Sequence, residues 1–173
     1  MSAPPELSRL IALCPPPAAP PPRVERGLIP VPSAHTELLA VYGVGCFDDF
    51  LSIYGNGVGN TYLDISDSTV RSTKILAGKE ITELRAQLDT FGARPEDLIQ
   101  WGGTTNADWL FWIPIGEPGV WPTVIVEAGQ LAFAVLHRSS PGVLLDVLSR
   151  TWSTPIFPDD FPDDCPAFEP YRA

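Results

Sequence analysis

Apolar residues along this chain switch between helical and strand-like spacing, and the switches mark out its elements. Leu7, Leu10 and Ile11 share one face of a short amphipathic helix over 6–13. Over 33–42, Leu38, Leu39 and Tyr42 fall on a single helical face. Ser33 is placed to cap that helix, Glu37 lies near its positive end, and Gly43 ends it. Residues 46–54 are aromatic and β-branched enough for one strand, after which Gly55-Asn56-Gly57-Val58-Gly59-Asn60 forces a turn. From 73 to 91 the period is helical again. Ile81, Leu84, Leu88 and Phe91 make the apolar stripe, with Lys79 and Glu83 paired at i,i+4 on the exposed side, and Gly92 closes the helix.

Strand-like runs follow over 98–101, 109–115, 120–126 and 131–136, the last turned from its predecessor at Ala128-Gly129. Trp109-Leu110-Phe111-Trp112-Ile113 is apolar on both strand faces, which predicts a central strand covered on both sides. A final helix is expected with Ser140 as cap and Pro141 at its first position, its core face formed by Leu144, Val147, Leu148 and Trp152. Consecutive strands with short turns imply antiparallel pairing, and the helices are grouped around them. The expected fold is α+β, a single domain whose mainly antiparallel sheet has about four to six strands packed by helices.

Proline sets the limits of that domain. Of the 20 prolines, half lie in 1–32 and a quarter in 155–170, and both ends are expected to be mostly irregular. The division is a Pro-rich segment over 1–27 with its short helix, a folded domain over 28–157, and an acidic, Pro-rich tail over 158–173. Pro15-Pro16-Pro17 and Pro20-Pro21-Pro22 favour polyproline II. Beside Arg23 they look like a ligand for an adaptor domain; a stiff spacer is the simpler reading.

Charge narrows the partners. Eleven Lys and Arg against 21 Asp and Glu leave a formal charge of −10. Such a field repels phosphate backbones and anionic lipid heads, so neither nucleic acid nor membrane is expected as a partner. It speeds encounter with a basic protein, although an acidic surface also serves solubility alone. Cys14, Cys46 and Cys165 are scattered and odd in number, which argues against a disulfide framework or a zinc site. No signal peptide or membrane span is read, and a cytoplasmic location is expected.

Candidate chemistry is sparse. His35 and His137 are the side chains suited to general-base work near neutral pH, and neither belongs to a recognisable triad. His35 is expected at the edge of the core and His137 in a solvated turn. Gly55-x-Gly57-x-Gly59 misses the dinucleotide spacing and no Gly-Lys-Ser/Thr follows it. Asp64 and Asp67 lack the spacing of a calcium loop, as do Asp159, Asp160, Asp163 and Asp164, and all are read as solvated charge. Neither an enzyme, a metal nor a cofactor is expected. The candidate protein-binding residues are Asn106 and Asp108 at a hairpin turn, Glu117 and Trp121 near the far end of the strand, and those four tail aspartates.

Two segments resemble the SUKH superfamily, whose Smi/Knr-type domain occurs in many bacterial immunity proteins. Residues 29–47, running from Ile29-Pro30 through Tyr42-Gly43-Val44-Gly45 to Phe47, look like the family's proline-started helix, its Tyr-Gly-x-Gly ending and an aromatic strand. Leu98-Ile99-Gln100-Trp101-Gly102 and Thr105 to Trp112, continued by Trp121-Pro122, look like its strand, polar hairpin and Trp-rich central strand. The helix over 143–148 also sits where the family places one. His35 stands where the family often has an aromatic, and Ala107 where a hairpin glycine is common. Together the resemblance spans 28–157. It implies a non-catalytic immunity protein that binds and occludes a cognate toxin, and the acidic charge favours a basic one. For a nuclease toxin, the tail aspartates would fill the phosphate-binding cleft. The family also has regulatory and scaffold members without a toxin partner, which is the alternative.

Overall fold

The computed structural model describes residues 4–19, 21–22, 27, 29–129 and 132–172. Pro20, Arg23, the expected domain start at position 28 and the expected start of the last strand at Leu131 lie outside them. Among the described residues, five helices, α1 (Pro5–Leu13), α2 (Ser33–Tyr42), α3 (Ile65–Gly78), α4 (Thr82–Asp89) and α5 (Ser140–Leu148), surround one sheet. Its strands are β1 (Gly45–Phe47), β2 (Leu51–Ile53), β3 (Ile99–Thr104), β4 (Trp109–Trp112), β5 (Thr123–Val126), β6 (Phe133–Leu136) and β7 (Phe168–Pro170). They lie in the order β6-β5-β4-β3-β2-β1-β7, and every neighbouring pair is antiparallel. The fold is α+β.

Side-chain alternation builds the two faces. On β4, Leu110 and Trp112 point into a core shared with Leu7, Leu38, Tyr42 and Leu144, so α1, α2 and α5 cover that side. Phe111 and Ile113 point the other way, against Leu76, Leu84 and Leu88 of α3 and α4. The doubly apolar run is therefore covered twice, as its pattern requires.

The seven strands exceed the expected number for two reasons. Residues 46–54 form a hairpin, because Asp48 and Asp49 both adopt left-handed backbone (φ 50° and 53°) and the Phe50 amide donates to the Phe47 carbonyl at 2.9 Å. The tail then adds β7 beside β1. The helical stretch expected over 73–91 is also two helices. Asp64 caps α3 by accepting from the Asp67 amide at 3.0 Å, and the buried stripe Ile65, Ser68, Ser72 and Leu76 is half serine. Lys79 is extended and ends α3, so it and Glu83 do not share a helix.

Both serine caps shift by one residue. Pro32 precedes α2 and Ser33 is already helical, while Ser139 caps α5 by accepting from the Gly142 amide at 3.2 Å. Ser140, one position inside, is buried and its hydroxyl meets His35. Strand β3 runs past Trp101 through two glycines. A Cβ on Gly102 would lie 2.8 Å from the Ser52 carbonyl oxygen, so the close approach of β2 needs glycine there. Residues 113–115 leave the sheet, and Val120 sits in a 3-10 turn before β5.

The proline-rich ends pack onto this core. Leu7, Leu10 and Cys14 are buried, and the Tyr42 hydroxyl donates to the Cys14 carbonyl. Arg138 bridges Glu6 of α1 at 3.5 Å and Asp146 of α5 at 2.8 Å. Among the described residues, no helix is long and apolar enough to cross a membrane.

Candidate functional site

Sheet register brings three distant segments to one end of the molecule. Because Leu51 faces Thr104, the β1–β2 turn and the β3–β4 turn emerge side by side, and the Thr105 amide donates to the Phe50 carbonyl at 3.0 Å. Because Phe168 faces Phe47, the tail runs up to the same turn. Asp48 holds it there: its two carboxylate oxygens accept from the Ala167 amide at 2.7 Å and the Asp163 amide at 3.0 Å. Phe50 adds apolar contact, its ring 4.5 Å from Phe161 and 5.5 Å from Phe157.

The result is a cleft of about 330 Å³ lined by Asp48, Asp49, Phe50, Asn106, Asp160 and Asp163, with Pro158 and Phe161. Asp49, Asn106, Asp160 and Asp163 are exposed. Four carboxylates within one concavity concentrate negative potential there, and low-dielectric aromatic walls sharpen it. Asp159 is exposed on the adjoining surface, and Asp164 lies 3.5 Å from Arg150 with its side chain fully exposed.

The hairpin candidates separate. Asn106 reaches the cleft, but Asp108 is 2% exposed. One Asp108 oxygen accepts from the Thr104 hydroxyl at 2.6 Å and the other from the Ala128 amide at 2.8 Å, so it braces two hairpins from within. Trp121, expected at a protein-binding surface, is 7% exposed; its indole N–H donates to the Gly116 carbonyl at 3.0 Å and its ring packs against Trp112. Glu117 is exposed at the opposite end of β4 from Asn106. Asp48, Asp49, Phe50 and Phe161 were missed. An Asp-Asp pair between short apolar runs is the hairpin signal that marks the first three.

His35 is fully buried rather than at the core edge. Its Nδ1 lies 2.8 Å from the Ser140 Oγ and its Nε2 2.8 Å from the Tyr54 carbonyl oxygen, so both ring nitrogens are occupied. Burial drives its pKa down to about 4, against a weaker upward pull from the Tyr54 carbonyl. His137 is exposed, its ring centroid 5.7 Å from that of Phe91. Asp64, expected to be solvated, is buried and accepts from the Val58 amide as well as the Asp67 amide, which engages both the acid and the glycine-rich loop structurally. Burial pushes the Cys14 thiol up to about 11, suppressing its reactive thiolate. Among the described residues, no group of three or more His, Cys, Asp or Glu is placed to hold a metal ion.

No family model matches the chain, and comparison with curated proteins and with solved structures finds no match.

Proposed function

We propose that this protein works by binding another protein, as an immunity factor that neutralises a basic toxin without making or breaking a bond. The observation that carries the proposal is the convergence of three chain segments into one acidic cleft, with Asp48 fixing the tail against the hairpin turn. A preordered concavity loses less conformational entropy on binding than a loose tail, and its field steers a cationic partner. The formal charge of −10 acts in the same direction at longer range. The resemblance in residues 29–47 and 98–112 supplies the toxin as the kind of partner. A regulatory binding module would use the same surface with a different basic protein.

Co-expression tests the reading. The reading requires a toxin gene beside this one, and the domain it encodes is expressed in cells with and without the protein. Survival with the intact chain, and killing restored by the triple variant Asp49→Asn, Asp160→Asn, Asp163→Asn, is the expected result. Killing that the intact chain does not reduce would overturn the immunity role. Protection that survives the triple variant would remove the cleft from it.

A further inference from the structure

Beyond the acidic cleft, the same end of the molecule carries a larger groove of about 490 Å³. Its walls mix aromatic and prolyl side chains (Trp152, Pro155, Phe157 and Phe161) with polar ones, Asp159 among them. After α5 the chain reverses through Arg150, which adopts left-handed backbone (φ 59°), and the Trp152 amide donates to the Asp146 carbonyl at 3.0 Å. That turn leaves the Trp152 ring half-buried beside the core, although a large apolar ring gains most from full burial. Its indole N–H meets no acceptor among the described residues. Arg150 also lines the groove, where its guanidinium donates to the Pro162 carbonyl and lies 3.5 Å from Asp164.

Two features limit what fits such a groove. Flat rings with an indole donor unpaired among the described residues suit a segment that offers prolyl rings and unpaired backbone carbonyls, which is what a polyproline II segment presents at low entropic cost. Pro158 and Phe161 line both this groove and the acidic cleft, so the two adjoin across these residues. A segment that lies along the first and crosses Pro158 and Phe161 reaches Asp49, Asp160 and Asp163.

We propose that the groove receives an extended, proline-rich segment of a partner protein that carries Lys or Arg directly after its prolines. The prolyl rings pack on Trp152 and Phe161, and the cations enter the Asp49, Asp160 and Asp163 cleft. This rests on the reading of the cleft as a binding surface and names the chemistry of its occupant.

The probe is the synthetic peptide Pro-Pro-Leu-Pro-Pro-Arg-Arg, titrated calorimetrically into the full chain. Binding with a Kd below about 1 mM is expected, weakened at least about tenfold when Glu-Glu replaces Arg-Arg in the peptide, and similarly by Trp152→Ser. The peptide change leaves the protein intact, so it holds if Trp152→Ser disturbs folding. Failure of the peptide to bind, or equal affinity for the Glu-Glu peptide, overturns the proposal. Trp152→Ser in the co-expression assay separates it from the broader reading. Protection lost in the Asp49, Asp160, Asp163 variant but kept in folded Trp152→Ser leaves the cleft in place and removes the groove.

Discussion

The Nδ1 of His35 lies 2.8 Å from the Oγ of Ser140, 105 positions away, and the pair joins α2 to α5 within one core. Geometry assigns the proton. The Tyr54 carbonyl can only accept, so Nε2 carries the hydrogen that meets it at 2.8 Å. Nδ1 then accepts from the Ser140 hydroxyl, and the ring is neutral. Trp112 packs edge-on at 4.8 Å and Trp101 at 5.8 Å, which leaves no room for water to solvate an imidazolium.

Acid should therefore destabilise the fold through His35. Its folded pKa is about 4 against an ordinary 6.5, so the unfolded chain binds the proton first as pH falls. The stabilisation is complete above about pH 6.5 and is lost as pH falls towards about 4, with a full size on the order of 3 kcal/mol. Urea midpoints measured across that window should drop steeply for the intact chain and more gently for His35→Gln. Carboxylates titrate at the lower edge, so the difference between the two slopes is the quantity that decides. Identical slopes would remove His35 as the cause.

Asp108 offers a second structural test. Removing its carboxylate leaves the Ala128 amide and the Thr104 hydroxyl without their acceptor. Asp108→Ala should cost about 1–3 kcal/mol by denaturant unfolding. Because the side chain is buried, partner binding by the remaining folded protein should not change. A loss of affinity without loss of stability would return Asp108 to the binding surface.

Much of this architecture was legible from periodicity. The faces of α1 and α2, the doubly covered β4 and the α+β class all follow from apolar spacing, because each buries a continuous stripe. What escaped has local causes. The serines in the stripe of α3 hide its start, their hydroxyls donating to backbone carbonyls of their own helix or the preceding turn, as Ser72 does to Ser68 at 2.8 Å. The cleft escaped for a different reason. Asp48 and Asp163 are 115 residues apart, and only the pairing of β7 with β1 brings them together. Charge and proline content describe the tail's composition, but strand register decides where it lies.

Ala107 carries a strained backbone at the β3–β4 turn, with φ 68°. A left-handed alanine costs about 1–2 kcal/mol, and glycine relieves that while adding about 0.4–1 kcal/mol of unfolded-state entropy. Ala107→Gly should thus stabilise the protein by up to about 1.5 kcal/mol, raising the thermal midpoint by a few degrees. The side chain is exposed, so no packing is lost to offset the gain. A lower midpoint would mean that the methyl group makes a contact worth more than the strain.

Asp48 links stability of the tail to the shape of the cleft. Its carboxylate accepts from Asp163 and Ala167, and its own amide donates to the Ala167 carbonyl at 2.9 Å. Substitution to alanine removes the first two contacts, keeps the third and adds the strain of a left-handed alanine, so β7 should stay paired while the segment before it loosens. Hydrogen exchange at the Asp163 and Ala167 amides should accelerate at least about tenfold in Asp48→Ala, since bonds to a charged acceptor contribute about 1.5–3 kcal/mol and about 1.4 kcal/mol is a factor of ten. Asp48→Asn tolerates the same left-handed backbone and retains one acceptor oxygen, so its effect should be intermediate. Exchange at Leu110 and Ile125, deep in the sheet, should be unchanged in both. Acceleration throughout the molecule would instead assign Asp48 a global role. No acceleration at the two tail amides would separate Asp48 from the order of Asp160 and Asp163, and the cleft would owe its shape to the Phe50 and Phe161 contact alone.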